Sequence, residues 1–254
     1  MTWTARLRET AFAGLPPALR PVATYHYRRA RLQTDPEMEE LCAVLRPGVR
    51  AIDVGANEGL YTHAFARTGA LVDAFEPLPA CHDVLAAYGR WRSRVCIHPV
   101  ALGAEERMAT LSVPLRNGRP VTGHASLEPR TNGSARLDVP VKTLDSFTFS
   151  DVAVIKVDVE GHELSVLRGA VATIRRWRPL LLLEIEQRHV PVPIASVFDE
   201  VSALGYRGEF IDATGARLAL EHFDLARHQR ADMADTPGSE YVNNFLFRPA
   251  AGVR

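Results

Sequence analysis

The residues best suited to chemistry stand directly after short apolar segments, where buried strands would end. Glu76 follows the mostly apolar residues 71–75, and Asp158 follows residues 152–157. In an open α/β sheet, ligands bind over the carboxyl ends of the parallel strands. A carboxylate at such a position can accept hydrogen bonds from both hydroxyls of a ribose. We therefore predict that Glu76 binds the ribose of a nucleoside.

Residues 51–76 predict the elements that would position Glu76. They indicate a strand at 51–54, a glycine turn at 55–59, a helix at 60–68 and a second strand at 71–75. The glycines of the turn allow it to form without a bulky Cβ. The turn residues predicted to lie against the nucleoside are Gly55, Asn57 and Gly59.

The same turn indicates which nucleoside-containing cofactor the site would bind. A dinucleotide site requires G-x-G-x-x-G, which places a pyrophosphate at a helix N-terminus. This turn has two glycines and carries Glu58, which would repel a pyrophosphate. Asp53, two residues before the turn, is expected to bind an ammonium group, and Val100 and Ala101 are expected to border an adenine ring. S-adenosylmethionine has a ribose, an ammonium and a sulfonium but no phosphate, so it fits this pattern.

A second group of ionisable residues follows two later strands. Asp158 and His162 follow the predicted strand at 152–157, and Glu184 and His189 lie at the end of the strand predicted at 179–186. Ionisable groups that converge at neighbouring strand ends favour a functional site over a structural ion-pair network. We predict that these four residues form the catalytic cluster, with His162 and His189 as candidate bases at neutral pH.

Three of the acidic residues also suggest a metal site. Asp158, Glu184 and Glu186 offer hard oxygen ligands of the kind that Mg²⁺ prefers. A divalent cation there would lower the pKa of a hydroxyl group that is about to react. The alternative is that Asp158 pairs with Lys156 or contacts the cofactor, while His162 only begins a helix.

Composition limits the classes of protein. The chain has 254 residues, 46% of them hydrophobic, and a formal net charge of zero, which predicts no general attraction to nucleic acid. No apolar run is long enough to cross a membrane, and no apolar leader begins the sequence, so a cytoplasmic location is expected. The three cysteines lack the spacing of a disulfide or metal site and are expected to be reduced, partly buried thiols. The oligomeric state stays open.

Two segments stand apart from the predicted α/β core. Residues 1–34 form a basic, helical N-terminal segment, which we expect to pack on the domain rather than to cover an anionic acceptor. The loop at 116–135 is rich in Gly, Pro, Ser and Arg, and loops of this length are often functional. His124 and Ser126 lie in it as candidate acceptor contacts. The alternative is an exposed surface loop without function.

The order of predicted elements defines the fold class. We predict an α/β protein with a seven-stranded, mostly parallel, Rossmann-like methyltransferase sheet. A C-terminal antiparallel strand pair at 206–211 and 241–248 would close the sheet at its edge. The domain is expected to span residues 35–254, with 116–135 as an inserted loop.

The chain resembles the FkbM family of class I S-adenosylmethionine-dependent methyltransferases. The resemblance rests on DVGANEGLYT at 53–62, FEP at 75–77, VALG at 100–103, TLDSF at 143–147, IKVDVEGHE at 155–163, LLLEI at 181–185 and NNFLF at 243–247. It adds Pro77 to the predicted cofactor residues. It implies O-methylation of a hydroxyl on a sugar, oligosaccharide, glycolipid or related natural product. The alternatives are an NAD-dependent Rossmann enzyme and a non-catalytic nucleoside-binding domain.

Overall fold

The structure is a computed structural model and describes residues 12, 14–31, 35–116, 118–128, 134–234 and 239–250. The helices are α1 Arg20–Ala30, α2 Pro36–Val44, α3 Leu60–Ala66, α4 Pro79–Gly89, α5 Glu163–Arg168, α6 Val171–Trp177, α7 Ile194–Ala203 and α8 Leu225–His228. The strands are β1 Arg50–Val54, β2 Leu71–Phe75, β3 Val95–His98, β4 Ala101–Leu102, β5 Arg107–Arg116, β6 Arg119–Pro120, β7 Ser134–Lys142, β8 Val152–Val157, β9 Leu180–Glu184, β10 Tyr206–Ile211, β11 Arg217–Ala219 and β12 Asn244–Pro249.

The main sheet has the strand order β11-β10-β12-β9-β8-β1-β2-β3. Strands β3, β2, β1, β8 and β9 pair in parallel, whereas β12 pairs antiparallel with both β9 and β10. The predicted α/β class and the C-terminal antiparallel pair are confirmed. The strand count was wrong, because β11 pairs with β10 and makes the sheet eight-stranded. This strand has three residues, too few for an apolar pattern to reveal it.

The parallel strands form because their residues are apolar on both faces, as a sheet covered by helices on both sides requires. Successive residues point to opposite faces, so Ala51 lies in one hydrophobic cluster while Ile52 and Val54 lie in another. Both faces of β1 are therefore buried. The rigid strands hold their carboxyl ends, and the residues that follow them, in fixed positions.

A smaller sheet of four strands in the order β4-β7-β5-β6 lies beside the main sheet. Strands β5 and β7 pair antiparallel and flank the inserted loop. Between them, Ser126 forms an isolated bridge with Ser112 of β5, so part of the inserted loop is attached to the hairpin. Residues 117 and 129–133 of this loop lie outside the described part of the chain.

The basic N-terminal segment contributes α1, whose Tyr25 is buried against α3. The Tyr25 ring meets the His63 ring edge-on with centroids 5.2 Å apart. This contact supports the packing interpretation for the part of residues 1–34 that the structure describes. Within the described residues, no helix combines the length and apolar character needed to cross a membrane.

Candidate active site

A cavity opens at the carboxyl ends of β1, β2 and β8, where the sequence predicts a site. Eight of the predicted residues line it: Gly55, Asn57, Glu76, Pro77, Val100, Ala101, Asp158 and His162. Thr122, Gly123, Ala125 and Leu127 of the inserted loop line it as well. The remaining predicted residues, which are Asp53, Gly59, Glu184, Glu186 and His189, lie outside its lining.

Glu76 is the buried carboxylate of the cavity. Its Oε2 accepts a hydrogen bond from the backbone N–H of Asn57 at 2.8 Å, and its Oε1 accepts one from Leu78 N–H at 2.9 Å. Burial raises the pKa of Glu76 to about 7, although these two hydrogen bonds favour the ionised form. Each carboxylate oxygen has a second lone pair. The side chain is therefore held in one orientation and keeps capacity to accept hydroxyl donors.

Gly55 makes the turn after β1 possible for two reasons. Its φ is +75°, a left-handed conformation that favours glycine, and an added Cβ would lie 1.8 Å from the carbonyl oxygen of Asp158. The absence of a side chain thus brings the turn against the segment that follows β8. Gly59 allows a different close contact, since an added Cβ would lie 2.7 Å from the Leu85 side chain of α4. Gly59 serves helix packing in this structure, and its contact with a cofactor stays a prediction.

A buried lysine lies among the acidic residues of the predicted metal site. The Lys156 ammonium is 3.0 Å from Oδ2 of Asp158 and 4.0 Å from Oδ1 of Asp53. Burial would lower the pKa of Lys156, but the charges of Asp158, Asp53 and Glu184 outweigh it and raise that pKa. Asp53 faces the Lys156 ammonium, and its contact with the ammonium of a cofactor stays a prediction. Asp53 is fully buried and also accepts a hydrogen bond from Thr62 Oγ1 at 2.6 Å.

The predicted metal ligands do not fit a common ion. Glu184 accepts a hydrogen bond from Asn243 Nδ2 at 2.8 Å, and Glu186 Oε2 is 2.5 Å from Arg188 Nε. Among the described residues, Asp158, Glu184 and Glu186 are not grouped closely enough to share an ion. Asp158 pairs with Lys156, which was the alternative interpretation of this residue. We derive no chemical step through a metal at this position.

Glu160 is a residue that the site prediction omitted. Its Oε2 is 2.5 Å from Nδ1 of His189, and its Oε1 is 2.9 Å from Nδ1 of His124. Burial would raise the pKa of Glu160, but the contacts with the two histidines outweigh burial and lower it to about 2. Glu160 also has a left-handed φ of +55°. An ionised carboxylate thus lies between two imidazoles at the cavity wall.

His162 makes the second contact between an imidazole and a carboxylate. Its Nδ1 is 2.7 Å from Oε1 of Glu128 in the inserted loop. Its buried Nε2 has no hydrogen-bond partner among the described residues and lies next to the position that a Cβ on Gly103 would take. His162 also precedes α5, as the alternative interpretation expected. Its imidazole lines the cavity, but its free nitrogen faces the end of β4.

The inserted loop is attached to the segment after β8 at three points. His124 contacts Glu160, Ser126 Oγ donates to the Glu160 carbonyl at 2.6 Å, and Glu128 contacts His162. The polar composition of the loop indicated a functional segment. The partners of His124 and Ser126 could not be read from sequence, because they lie more than 30 positions away.

Two of the solved structures to which this chain is similar are methyltransferases. The crystal structure of methyltransferase FkbM from Methylobacillus flagellatus has a TM-score of 0.49 and 16% identity, covering 96% of this chain and 58% of that chain. A TehB-like SAM-dependent methyltransferase from Corynebacterium glutamicum has a TM-score of 0.43 and 12% identity, covering 92% of this chain and 100% of that chain. The sheet described above defines an α/β protein with a mostly parallel central sheet.

Sequence comparison identifies the family. Residues 53–207, more than half of the chain, match the methyltransferase FkbM domain. The chain therefore belongs to the FkbM methyltransferase family. It is also 30% identical over 155 residues to the hexuronic acid methyltransferase AglP of Haloferax volcanii, a match that covers 58% of this chain and 60% of that relative. The matched part is thus less than two thirds of the relative's length.

Proposed function

We propose that the chain transfers a methyl group from S-adenosylmethionine to a hydroxyl of a sugar, oligosaccharide, glycolipid or related natural product. One observation carries the proposal: Glu76 and Glu160 line the same cavity, and Glu160 is in contact with two histidines. The first carboxylate suits the ribose of the cofactor, and the second suits the orientation of a base. Membership of the FkbM family supports methyl transfer over the NAD-dependent alternative.

The residues at the Glu76 side of the cavity fit the nucleoside part of the cofactor. Backbone N–H groups fix the carboxylate so that its remaining lone pairs can accept the two ribose hydroxyls. Pro77, Val100 and Ala101 give the same cavity an apolar wall suited to adenine. Gly55 and Asn57 bring backbone rather than bulky side chains to the cavity. When bound, S-adenosylmethionine supplies an electrophilic methyl group on a sulfonium.

An alcohol must lose its proton to become an effective nucleophile, so the site needs a base. We propose His189, because Glu160 contacts its Nδ1. An ionised Glu160 favours the tautomer with the proton on Nδ1, which leaves Nε2 as the nitrogen able to accept a proton. His162 stays a second candidate, although its Nε2 would have to turn away from Gly103. Asp158 lies at the cavity wall as a candidate contact for cofactor or acceptor.

Positioning supplies much of the rate in such a transfer, because the hydroxyl oxygen must align with the methyl–sulfur bond. The inserted loop is suited to this task. Four of its residues, Thr122, Gly123, Ala125 and Leu127, line the cavity, and contacts with Glu160 and His162 hold it in place. A closed loop would also exclude water from the reacting groups.

A sugar hydroxyl is the acceptor class that we favour. The relative AglP is named for its action on a hexuronic acid, which is a sugar carrying both hydroxyl and carboxylate groups. For this chain, the position of the methylated hydroxyl and the need for an acceptor carboxylate are questions for the experiment below. The proposal involves no nucleic acid.

Two measurements test the proposal in sequence. Calorimetry with S-adenosylhomocysteine and with NAD should show binding of the first and none of the second. Radiolabelled S-adenosylmethionine, incubated with fractionated glycan and lipid extracts and with hexuronic acid glycosides, should then label a carbohydrate fraction. Binding of NAD alone would overturn the cofactor assignment. Cofactor binding with label only in protein or nucleic acid would overturn the acceptor class.

A further inference from the structure

A second cluster of side chains with metal-binding chemistry lies on β2 and β3. Asp73 on β2 is the register partner of Cys96 on β3, and His98 lies two residues beyond Cys96. Residues two apart on a strand share a face, and register partners of parallel strands do so too. The three side chains therefore lie together on one face. One ligand atom from each lies within 4.8 Å of the others.

The distances suit a small transition-metal ion. Zinc binds sulfur, nitrogen and carboxylate oxygen at about 2.0–2.3 Å, so two ligands in a tetrahedral site are about 3.5 Å apart. A contraction of about 1 Å would bring all three atoms onto one ion. A thiolate, an imidazole and a carboxylate together favour zinc over magnesium or calcium, which prefer oxygen alone.

Two of the three ligands are already held in place. The Asp73 side chain is buried, and the Arg50 guanidinium contacts its Oδ2 while His98 Nε2 lies 2.7 Å from its Oδ1. The His98 ring stacks on Phe75 with centroids 4.5 Å apart and meets Phe147 edge-on at 5.1 Å. An outer partner on a ligating carboxylate, such as Arg50, is the usual means of orienting a metal ligand.

Cys96, the third candidate ligand, is open to solvent. Cys96 is exposed, whereas Cys42 is half-buried and Cys81 is buried. An ion can therefore reach the cluster from solvent, and water can occupy a fourth coordination position. The sequence spacing gave no sign of this site, since the carboxylate comes from a different strand than the thiol and the imidazole.

We propose that Asp73, Cys96 and His98 bind Zn²⁺ and so tie the edge strand β3 to β2. On binding, the thiol of Cys96 releases its proton to solvent and coordinates as thiolate. The imidazole coordinates through one ring nitrogen, and the Asp73 carboxylate replaces its contact with His98 by a bond to the ion. Arg50 keeps its contact with the other carboxylate oxygen. Asp73, Cys96 and His98 do not line the cavity, and the proposal does not depend on the proposed function.

Cobalt is a sensitive probe for such a site, because a thiolate bound to Co²⁺ gives an intense near-ultraviolet charge-transfer band. The full chain is stripped with chelator, dialysed and titrated with Co²⁺, and the bound ion is then displaced with Zn²⁺. We expect one Co²⁺ per chain with a charge-transfer band that Zn²⁺ abolishes. We also expect Zn²⁺ to raise the midpoint of thermal unfolding, since an ion that binds only the folded state stabilises it.

Matched variants locate the ion. Cys96→Ser should remove the band, whereas Cys42→Ser, on a thiol outside the cluster, should retain it. Asp158→Asn should also retain it, which separates this site from the cavity. Circular dichroism checks that each variant is folded. The absence of a thiolate band in the unmodified chain, or a band that survives Cys96→Ser, would overturn the proposal and leave Arg50, Asp73 and His98 as a structural ion-pair network.

Discussion

The carbonyl oxygen of Asp158 lies 1.8 Å from the position that a Cβ on residue 55 would occupy. The turn after β1 and the segment after β8 are thus in backbone contact where they border the cavity. The sequence indicated Gly55 as a place where a ligand approaches the backbone. In the structure the close approach is made by the chain itself, and the cavity wall depends on it.

Replacement of Gly55 by alanine should therefore destabilise the protein and weaken cofactor binding. The control is Gly215→Ala, because Gly215 has a similar φ of +83° but nothing within 4 Å of an added Cβ. Both variants incur the strain of a left-handed alanine, and only Gly55→Ala adds the steric clash, expected to cost about 1–3 kcal/mol more. Urea unfolding measures the difference. Equal stability of the two variants would show that the loop after β8 moves freely.

Binding of S-adenosylhomocysteine should strengthen as pH rises through about 7. Burial raises the pKa of Glu76 from 4.5 to about 7, so the free protein carries it protonated below that pH. Its contribution to the free energy of unfolding is present below pH 4.5 and is lost as pH rises through 7. A ribose needs the ionised acceptor, so affinity should fall about tenfold per pH unit below 7.

The control for this prediction is Glu76→Ala. The variant should bind the ligand about 1.5–3 kcal/mol more weakly at pH 8, and its affinity should vary little with pH. Calorimetry in buffers of different ionisation enthalpy should detect proton release by the unmodified protein at pH 6.5. Unchanged affinity in a folded Glu76→Ala variant would remove the ribose assignment.

Replacement of His189 by alanine should slow methyl transfer without affecting the cofactor. A positioned base contributes roughly 10²–10⁴-fold to rate, and kcat should fall within that range. Affinity for S-adenosylhomocysteine should stay the same, since His189 lies outside the cavity lining. His222→Ala, on an exposed histidine, is the matched control. Near-normal turnover of His189→Ala would assign the proton transfer to another group, and His162→Ala would be tested next.

Lys156 should be far more important for stability than the other lysine of the chain. Lys156→Met leaves buried Asp53 without its cationic neighbour, and breaking a buried ion pair costs about 3–5 kcal/mol. Lys142→Met, at an exposed position, should change the free energy of unfolding by less than about 0.5 kcal/mol. If denaturant unfolding showed the same loss of free energy of unfolding for both variants, Asp53 would be able to take up a proton and become neutral at little cost.

Added magnesium should not raise the turnover of enzyme treated with EDTA. The reason is that two of the predicted metal ligands already have other partners. Asp158 contacts Lys156, and Glu186 contacts Arg188 and Tyr241. Turnover is measured after EDTA treatment and again with Mg²⁺ or Mn²⁺ added. A large increase that is lost in Asp158→Asn would restore the metal site predicted from sequence.

The predictability of each feature depends on whether its cause is local in the chain. The glycine turn and the strand before Glu76 have local causes, namely backbone freedom and a short, mostly apolar segment. The three attachments of the inserted loop do not, because His124 meets Glu160 only after β5 and β7 pair and β8 takes its place in the sheet. The predicted metal ligands are not grouped in the structure for a related reason. Their positions after neighbouring strands do not show which charged side chains pair with each other.

Residue 160 combines a left-handed backbone with the carboxylate that contacts two histidines. An L-residue in that conformation costs about 1 kcal/mol or more, a cost that glycine avoids. The lowered pKa of Glu160 means that its contacts with the two histidines stabilise the folded state at neutral pH, and they offset this strain. Glycine here would relieve the backbone but remove both contacts, so a screen for heat resistance and a screen for turnover would both retain glutamate.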